Sequence, residues 1–324
     1  MHVNTVACLG KMPTHGDFVQ HRASTPTMRT LDRWVRKGLH HARKHRSSRW
    51  EAAYDEASPR RFLLWGVGTK VPNALLGVLA SSRDEDGRTY PFIVACEIPK
   101  HALRPRYFAY LPPRATSFFQ RAGEVVDRAV TGELSRSRLK TRIEALEAGI
   151  PVKSKVPPDH KKYLQQKTLG AFLEELFGHF GSSGKYQLFS TLLDVVPPLQ
   201  NCSTSRLDRG LRFPISVPTE VRPSVIAFWM GVVLHLLNYT SLSLSVFWTA
   251  PSARPTPNDL HLYLGDPHPR AFFDVLAPSP SDPGGVLADA PEKTTAEAAL
   301  SIPDKYGNML ESESVRLWEF LHQL

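Results

Sequence analysis

The first half of the chain opens with a short apolar run, a polar stretch and then a long amphipathic repeat. The run TVACLG, residues 5–10, predicts a strand that leads directly into the polar stretch KMPTHGDFV. Over residues 28–46 apolar positions recur at helical spacing opposite a dense basic face, which predicts an amphipathic helix with one face in the core. These apolar positions are Leu31, Trp34, Val35 and Leu39.

Three apolar runs after Pro59 predict strands. They are RFLLWGVG, ALLGVLASS and TYPFIVACEIP, all rich in β-branched or aromatic residues. The turn signal Asp86-Gly87 lies between the last two runs and favours an antiparallel pair. Helices are expected next, over residues 115–130 and 133–148, because apolar residues again recur at helical spacing.

The second half repeats this mixture of helices and strands. Residues 168–180 and 225–237 predict helices, SLSLSVFWT and DLHLYLG predict strands, and KYQLFSTLLDVV fits either type. Short helices are expected within PHPRAFFDVLA and ESESVRLWEFLHQL, and residues 278–291, rich in Pro, Ser and Gly, predict a surface loop. The apolar run 225–237 is shorter than the ~20 residues that span a bilayer, so we expect no membrane insertion.

Length and composition predict two folded domains. The chain has 324 residues, of which 42% are apolar, and one domain typically takes about 150 residues. The segment GIPVKSKVPPDHKK, residues 149–162, is the best linker candidate because it holds three prolines and four lysines. We therefore expect α/β domains at residues 1–150 and 151–324. Each is predicted to be an α/β sandwich with a small, mainly antiparallel sheet packed with helices.

The net positive charge of the chain comes from the first half. Residues 1–150 hold 25 Lys and Arg against 14 Asp and Glu, whereas residues 151–324 hold 15 against 17. A basic surface of this kind suits an acidic or phosphorylated protein partner. Nucleic acid is not the expected partner, because the aromatic residue of the basic helix, Trp34, lies in its apolar stripe and not among the charges.

No metal site, cofactor or catalytic centre is predicted. His15, Asp17 and His21 lack the spacing and carboxylate support of a metal site. No Gly-x-Ser-x-Gly elbow occurs, and Cys8 and Cys96 lie in apolar runs where thiols are inert. The cysteines also lack zinc or redox spacing, and no signal-peptide pattern precedes them, which favours a cytoplasmic location.

Neither Gly-Lys pair of the chain matches a phosphate-binding loop. Such a loop requires glycine, four residues, and then Gly-Lys followed by Ser or Thr. Gly10-Lys11 is followed by Met12, and Gly184-Lys185 is followed by a tyrosine. A nucleotide cofactor is therefore not expected, although a regulator that senses phosphate or nucleotide stays open as an alternative.

The stretch GKMPTHGDFV closely resembles the signature of the TagF (ImpM) proteins associated with bacterial type VI secretion, which reads Gly-Lys-Leu-Pro-Ser-Arg-Gly-Asp-Phe-Val after an opening strand. The departures are Met12 for leucine, Thr14 for serine and His15 for arginine, of which the last removes a permanent charge. The matching residues are Gly10, Lys11, Pro13, Gly16, Asp17, Phe18 and Val19.

Three further blocks follow in the order of that family and extend the resemblance over about the first 100 residues. LDRWVRKGL is similar to its Asp-x-Trp helix, RRFLLWGVG to its strand after the second helix, and GRTYPFIV to its Gly-Arg-x-x-Pro strand. The second half is similar only through SVFWT and LHLYLG. The residues interpreted as structural members of these motifs are Gly10, Trp34, Gly87 and Pro91.

The resemblance implies a cytoplasmic, non-enzymatic protein that represses type VI secretion after translation. It implies binding and sequestration of the forkhead-associated scaffold protein of the secretion machine, with other cytoplasmic components of the machine as further partners. It implies no cofactor. The alternative from another class is a structural or assembly accessory component of the machine.

The expected recognition surface combines the signature with the basic helix. We expect Pro13 to stiffen the turn, Gly16 to adopt a backbone conformation that other residues resist, and Asp17 to bond backbone amides of the turn. The alternative that the signature only folds the connection from strand to helix stays open. The residues predicted to contact the partner are Lys11, Pro13, His15, Gly16, Asp17, Phe18, Arg33, Arg36 and Lys37.

Overall fold

An antiparallel sheet forms the centre of the protein. The computed structural model describes residues 5–45, 50–65, 71–146, 150, 155–179, 182–201, 206–239, 244–251, 258–277 and 294–324. Within these ranges the strands are β1 (Val6–Gly10), β2 (Val19–His21), β3 (Arg60–Leu64), β4 (Asn73–Ala80), β5 (Phe92–Pro99), β6 (Arg206–Pro214), β7 (Leu244–Thr249) and β8 (Asp259–Gly265).

Helices cover both faces of this sheet. In chain order they are α1 (Pro26–His45), α2 (Trp50–Asp55), α3 (Pro105–Phe108), α4 (Leu111–Arg114), α5 (Thr116–Val130), α6 (Arg136–Glu144), α7 (Pro158–Gln166), α8 (Leu169–Phe177), α9 (Gly184–Val195), α10 (Arg222–Leu236), α11 (Ala271–Leu276), α12 (Thr295–Leu300), α13 (Asp304–Leu310) and α14 (Leu317–Gln323).

The strands of both halves join in one sheet with the order β2-β1-β5-β4-β3-β7-β8-β6. Every neighbouring pair is antiparallel. The halves meet where β3 lies between β4 and β7, so that Phe62 is opposite Gly77 on one side and Phe247 on the other. Backbone hydrogen bonds therefore continue from the first half into the second.

The α/β class and the antiparallel pairing predicted from the sequence are confirmed, but the strands are not divided into one small sheet per half. Local hydrophobic patterns identify strands without identifying partners about 180 residues away in the chain. The halves also share a core, because Trp34 of α1 stacks on Phe247 of β7 with ring centroids 5.5 Å apart. The domain boundary at residue 150 stays a prediction.

Alternation along β3 separates the two cores on either side of the sheet. Phe62 and Leu64 face the core beneath α1 and α11, whereas Leu63 faces the larger core formed with α5, α10 and α14. Such a strand, covered on both faces, reads as a continuous apolar run in the sequence. This explains why RFLLWGVG is recognisable as a strand without a polar alternation.

Most predicted elements are present, with a few differences. The ambiguous run KYQLFSTLLDVV is helix α9, and part of the predicted linker forms α7. The sequence analysis missed β2, which has three residues, and β6, whose pairing shifts register between Arg206 and Gly210. The predicted loop 278–291 lies outside the described residues. No helix in the described ranges has the length and apolar character that crossing a membrane requires.

Candidate functional site

The signature loop, residues 10–18, leaves β1 at a position that only glycine fits. Gly10 has φ = 145°, and a Cβ there would lie 2.3 Å from the carbonyl oxygen of Pro91. Pro91 precedes β5, which pairs with β1, so the two motif positions meet in space. Gly16 does not have a positive φ. The expectation of a special backbone conformation at Gly16 is therefore wrong, and the constraint belongs to Gly10.

A buried ion pair lies beneath the loop. Lys11 Nζ donates a hydrogen bond to Asp84 Oδ2, and the side chains of Lys11 and Asp84 are 9% and 0% exposed. Arg88 donates from Nε to the same oxygen at 2.7 Å and from its backbone N–H to Oδ1 at 2.7 Å. Burial raises the pKa of Asp84, but the hydrogen bonds from Lys11 and Arg88 outweigh it and lower the pKa to about 2.

The same residues tie the loop to the turn between β4 and β5. Gly87 has φ = 77° in this turn and its N–H donates to the carbonyl of Asp84 at 3.0 Å, as the Asp-Gly signal predicts. Three hydrogen bonds cross from the turn to the loop, and together they fix the loop backbone. They are Ser82 Oγ to Lys11 O at 2.7 Å, Arg88 Nη2 to Gly16 O, and Glu85 N to His15 O at 3.3 Å.

The fixed loop presents only part of the signature to solvent. Pro13 and Asp17 are exposed and His15 is half-buried, whereas Lys11 is buried. Lys11 holds the loop from below through Asp84, and its predicted contact with a partner stays a prediction. Asp17 makes no side-chain hydrogen bond to any described residue, so its expected role in bonding the turn amides is wrong. Asp84 has that role, since it accepts from a backbone N–H.

The exit of the loop is joined to the basic helix by a stack of side chains. Phe18 packs edge-on against Tyr90 with ring centroids 4.6 Å apart, and the Arg36 guanidinium lies 5.1 Å from the centroid of Phe18. Arg36 Nε donates to both carboxylate oxygens of Asp32 at 2.9 Å, and Tyr90 Oη donates to Asp32 Oδ1 at 2.6 Å. These contacts hold the first turns of α1 against the signature loop.

A groove of about 580 Å³ begins beside this stack. It runs between α1, α2 and the β4–β5 turn, and Phe18, Trp50 and Tyr90 contribute aromatic surface. Arg43 lies over the ring of Trp50 at 5.5 Å, which sets a cation on an aromatic wall. Five cationic residues and one acidic residue, Glu51, line the groove. The cationic residues are Lys11, Arg36, Arg43, Arg83 and Arg88.

Of the nine predicted contact residues, three line this groove. Phe18 and Arg36 are in direct contact, and both line the groove with Lys11. Arg33 and Lys37 are exposed on α1 but do not line it. Partner binding by the predicted set stays a prediction. Trp34, interpreted as structural, is buried as expected.

Sequence reasoning missed Asp84, Arg88 and Tyr90 as members of the site. A signal for them was present, because GRTYPFIV contains Arg88 and Tyr90 and Asp84 lies in the acidic turn just before it. The linear sequence does not show that Asp84 lies next to Lys11, which is 73 residues away in the chain. Among the residues that the structure describes, no group of three or more His, Cys, Asp or Glu is placed to hold a metal.

The site lies within the part of the chain that matches a known protein family. Residues 7–146 match the family model for the TagF N-terminal domain, Type VI secretion system-associated. The chain is also similar in fold to the crystal structure of PA0076 from Pseudomonas aeruginosa PAO1, with a TM-score of 0.52 and 17% sequence identity over 90% of this chain and 100% of that one. No curated protein matches the chain.

Proposed function

Because residues 7–146 belong to the TagF N-terminal domain family, associated with type VI secretion, we propose that this protein is a non-enzymatic repressor of type VI secretion. It acts in the cytoplasm by binding and sequestering the forkhead-associated scaffold protein of the machine. The scaffold is then withheld from productive assembly. The repressor therefore works through occupancy of a surface and requires no bond to be made or broken.

The observation that carries this proposal is the buried network of Lys11, Asp84 and Arg88 beneath the signature loop. It fixes the loop backbone while Pro13 and Asp17 remain exposed. A loop held in one conformation before binding loses little conformational entropy when a partner docks. A network of this kind is expected where a surface loop has to keep its shape for recognition.

The charge of the adjoining helix supports a protein partner with an acidic face. Arg33, Arg36 and Lys37 lie exposed on α1, and Arg36 lies over Phe18 at the loop exit. Charged residues at the rim of an interface steer association and fix its register more than they add affinity. We therefore assign the loop to specificity and the basic helix to the rate of association.

Calorimetric titration with the forkhead-associated scaffold from the same secretion cluster tests the proposal. We expect Asp17→Ala to weaken binding by about tenfold or more, equivalent to 1.4 kcal/mol. The matched control is Asp304→Ala, an exposed aspartate at the start of α13 in the other half. The double variant Arg33→Ala/Lys37→Ala should slow association, whereas Lys161→Ala/Lys162→Ala on α7 should not.

Two results would contradict the proposal. Absence of binding by the folded wild-type protein would refute sequestration of this scaffold. Tight binding that the Asp17 and α1 substitutions leave unchanged would show that the interface lies elsewhere. Secretion assays separate the repressor from an accessory component. Deletion of a repressor raises secretion, whereas deletion of a component needed for assembly abolishes it.

A further inference from the structure

Two successive arginines on β3 have opposite surroundings. Because neighbouring residues of a strand point to opposite faces, Arg60 and Arg61 lie on different sides of the sheet. Arg60 Nη1 donates to Asp259 Oδ1 at 2.6 Å and to Thr249 Oγ1 at 2.7 Å, and its charge is neutralised. Arg61 makes no side-chain hydrogen bond or ion pair with any residue in the described ranges.

Arg61 shares a cleft with Arg222, the first residue of α10. The Arg61 guanidinium lies 5.6 Å from the ring centroid of Phe119, and Arg222 donates one hydrogen bond, from Nη2 to the carbonyl of Val217 at 3.1 Å. The Nε atoms of both arginines are buried and have no hydrogen-bond partner in the described chain. The other lining residues are uncharged: Pro112, Thr219, Pro223, Ile226, Trp248 and Pro251.

The positive charge of Arg222 adds to the free-energy cost of burying the charge of Arg61. Burial, together with the charge of Arg222, lowers the pKa of Arg61 to about 10, so the Arg61 guanidinium is charged at neutral pH. The carboxylate that acts on Arg222 is that of exposed Glu220, and burial outweighs its effect and lowers the pKa of Arg222. No acidic residue lines the cleft within the described part of the chain.

We propose that this cleft binds a phosphate group between Arg61 and Arg222. A phosphate dianion offers enough charge and acceptor oxygens to engage two guanidinium groups, for which arginine has the matching planar donor geometry. The cleft holds about 10 Å³, close to the room for one water-sized group. One phosphate oxygen enters the cleft while the rest of the group faces solvent.

The position of the cleft gives this binding a structural consequence. Arg61 comes from the family-matched region, residues 7–146, and Arg222 from the second half. A phosphate held by both bridges the two halves close to the β3–β7 pairing, where Arg61 is opposite Trp248. This inference does not depend on the scaffold partner proposed above.

Thermal unfolding at constant ionic strength tests the site, with inorganic phosphate, O-phosphoserine and acetate as probes. A ligand that binds the folded state raises stability with the logarithm of its concentration above the dissociation constant. We expect inorganic phosphate to raise the melting temperature in this way and acetate to have a smaller effect. A larger shift with O-phosphoserine would identify a phosphate ester as the source, and an equal or smaller shift would identify free phosphate.

The Arg61→Met and Arg222→Met variants should lose the phosphate-dependent shift, while Arg33→Met on the exposed face of α1 should retain it. Equal shifts in the wild type and the Arg61→Met/Arg222→Met double variant would overturn the proposal, as would the absence of any shift in the wild type. Should either variant fail to fold, Arg61→Lys keeps the charge and is expected to lower phosphate affinity at least fivefold, measured by ³¹P line broadening. Unchanged affinity in Arg61→Lys would contradict recognition by two guanidinium groups.

Discussion

Two buried carboxylates organise the molecule, and they differ in how far their partners reach the surface. Asp84 lies beneath the signature loop and neutralises Lys11, which is buried, and Arg88, whose side chain is 56% exposed. Asp259 lies where the two halves meet and neutralises Arg60, whose side chain is 1% exposed. The first network therefore opens to solvent, whereas the second is enclosed.

The enclosed network belongs to the sheet itself. Asp259 on β8 also forms an ion pair with Arg212 on β6 at 3.1 Å, and it accepts hydrogen bonds from His261 at 2.9 Å and from Thr249 on β7 at 3.0 Å. Burial raises the pKa of Asp259, but the hydrogen bond from His261 and the charge of Arg60 hold it well below its usual range. A buried carboxylate with cationic partners thus links several strands where it is enclosed, and holds a surface loop where it borders solvent.

Removal of the enclosed carboxylate should have the largest effect. Asp259→Asn leaves Arg60 buried without the carboxylate that neutralises it, and removal of one partner of a buried ion pair typically costs about 3–5 kcal/mol. We expect a loss of that size in urea unfolding. The apolar double variant Arg60→Met/Asp259→Leu should recover part of it, because the charge of Arg60 is then no longer buried without its partner. A loss below about 1 kcal/mol in Asp259→Asn would contradict the role given to this network.

In acid unfolding, a buried histidine of the second half should lower stability at a higher pH than the carboxylates of Asp84 and Asp259 do. His160 on α7 is buried with both ring nitrogens lacking partners in the described chain, and burial lowers its pKa to about 4. Between the unfolded pKa of about 6.5 and about 4 the unfolded state binds the proton more readily, so stability falls as pH falls by about 2–3 kcal/mol. His160→Leu should flatten stability against pH in this window. An unchanged slope in the variant would rule out His160 as the cause.

Removal of the open carboxylate should cost less than removal of the enclosed one. Asp84→Asn leaves Lys11 without its buried partner, and we expect about 2 kcal/mol because the site borders solvent. The lowered pKa of Asp84 means that its stabilisation is present above pH 4 and is lost as pH falls toward 2. The control is Asp86→Asn, an exposed neighbour whose carboxylate lies 2.8 Å from Arg88. Equal losses in the two variants would remove the distinction between a buried and an exposed partner.

The sequence predicted the elements of the fold better than their connections. The amphipathic pattern of α1 and the turn at Gly87 are local, so they are visible in a short window of residues. The bond from Arg60 to Asp259 spans 199 positions, and no local pattern specifies it. For the site, resemblance identified Lys11 and Gly10, but the burial of Lys11 follows from the approach of Asp84, which requires the tertiary structure.

The smallest effect should come from the stack at the loop exit. Arg36→Gln removes the cation over Phe18 and the ion pair with Asp32, and such exposed contacts are worth about 0.5–1 kcal/mol. Urea unfolding should show a loss in that range. Arg33→Gln, on the same helix but without these contacts, should leave stability unchanged. A loss in Arg33→Gln equal to that in Arg36→Gln would show that helix charge, and not the stack, is responsible.

Hydrogen exchange of the protein with and without the forkhead-associated scaffold tests the account most directly. The open network is proposed to hold a recognition loop, so residues 13–18 and the first three turns of α1 should gain protection when the scaffold binds. Asp84→Asn should weaken that protection and leave the strands around Asp259 unaffected. Protection confined to the second half, with exchange in residues 13–18 unchanged, would contradict the assignment of the loop as the recognition surface.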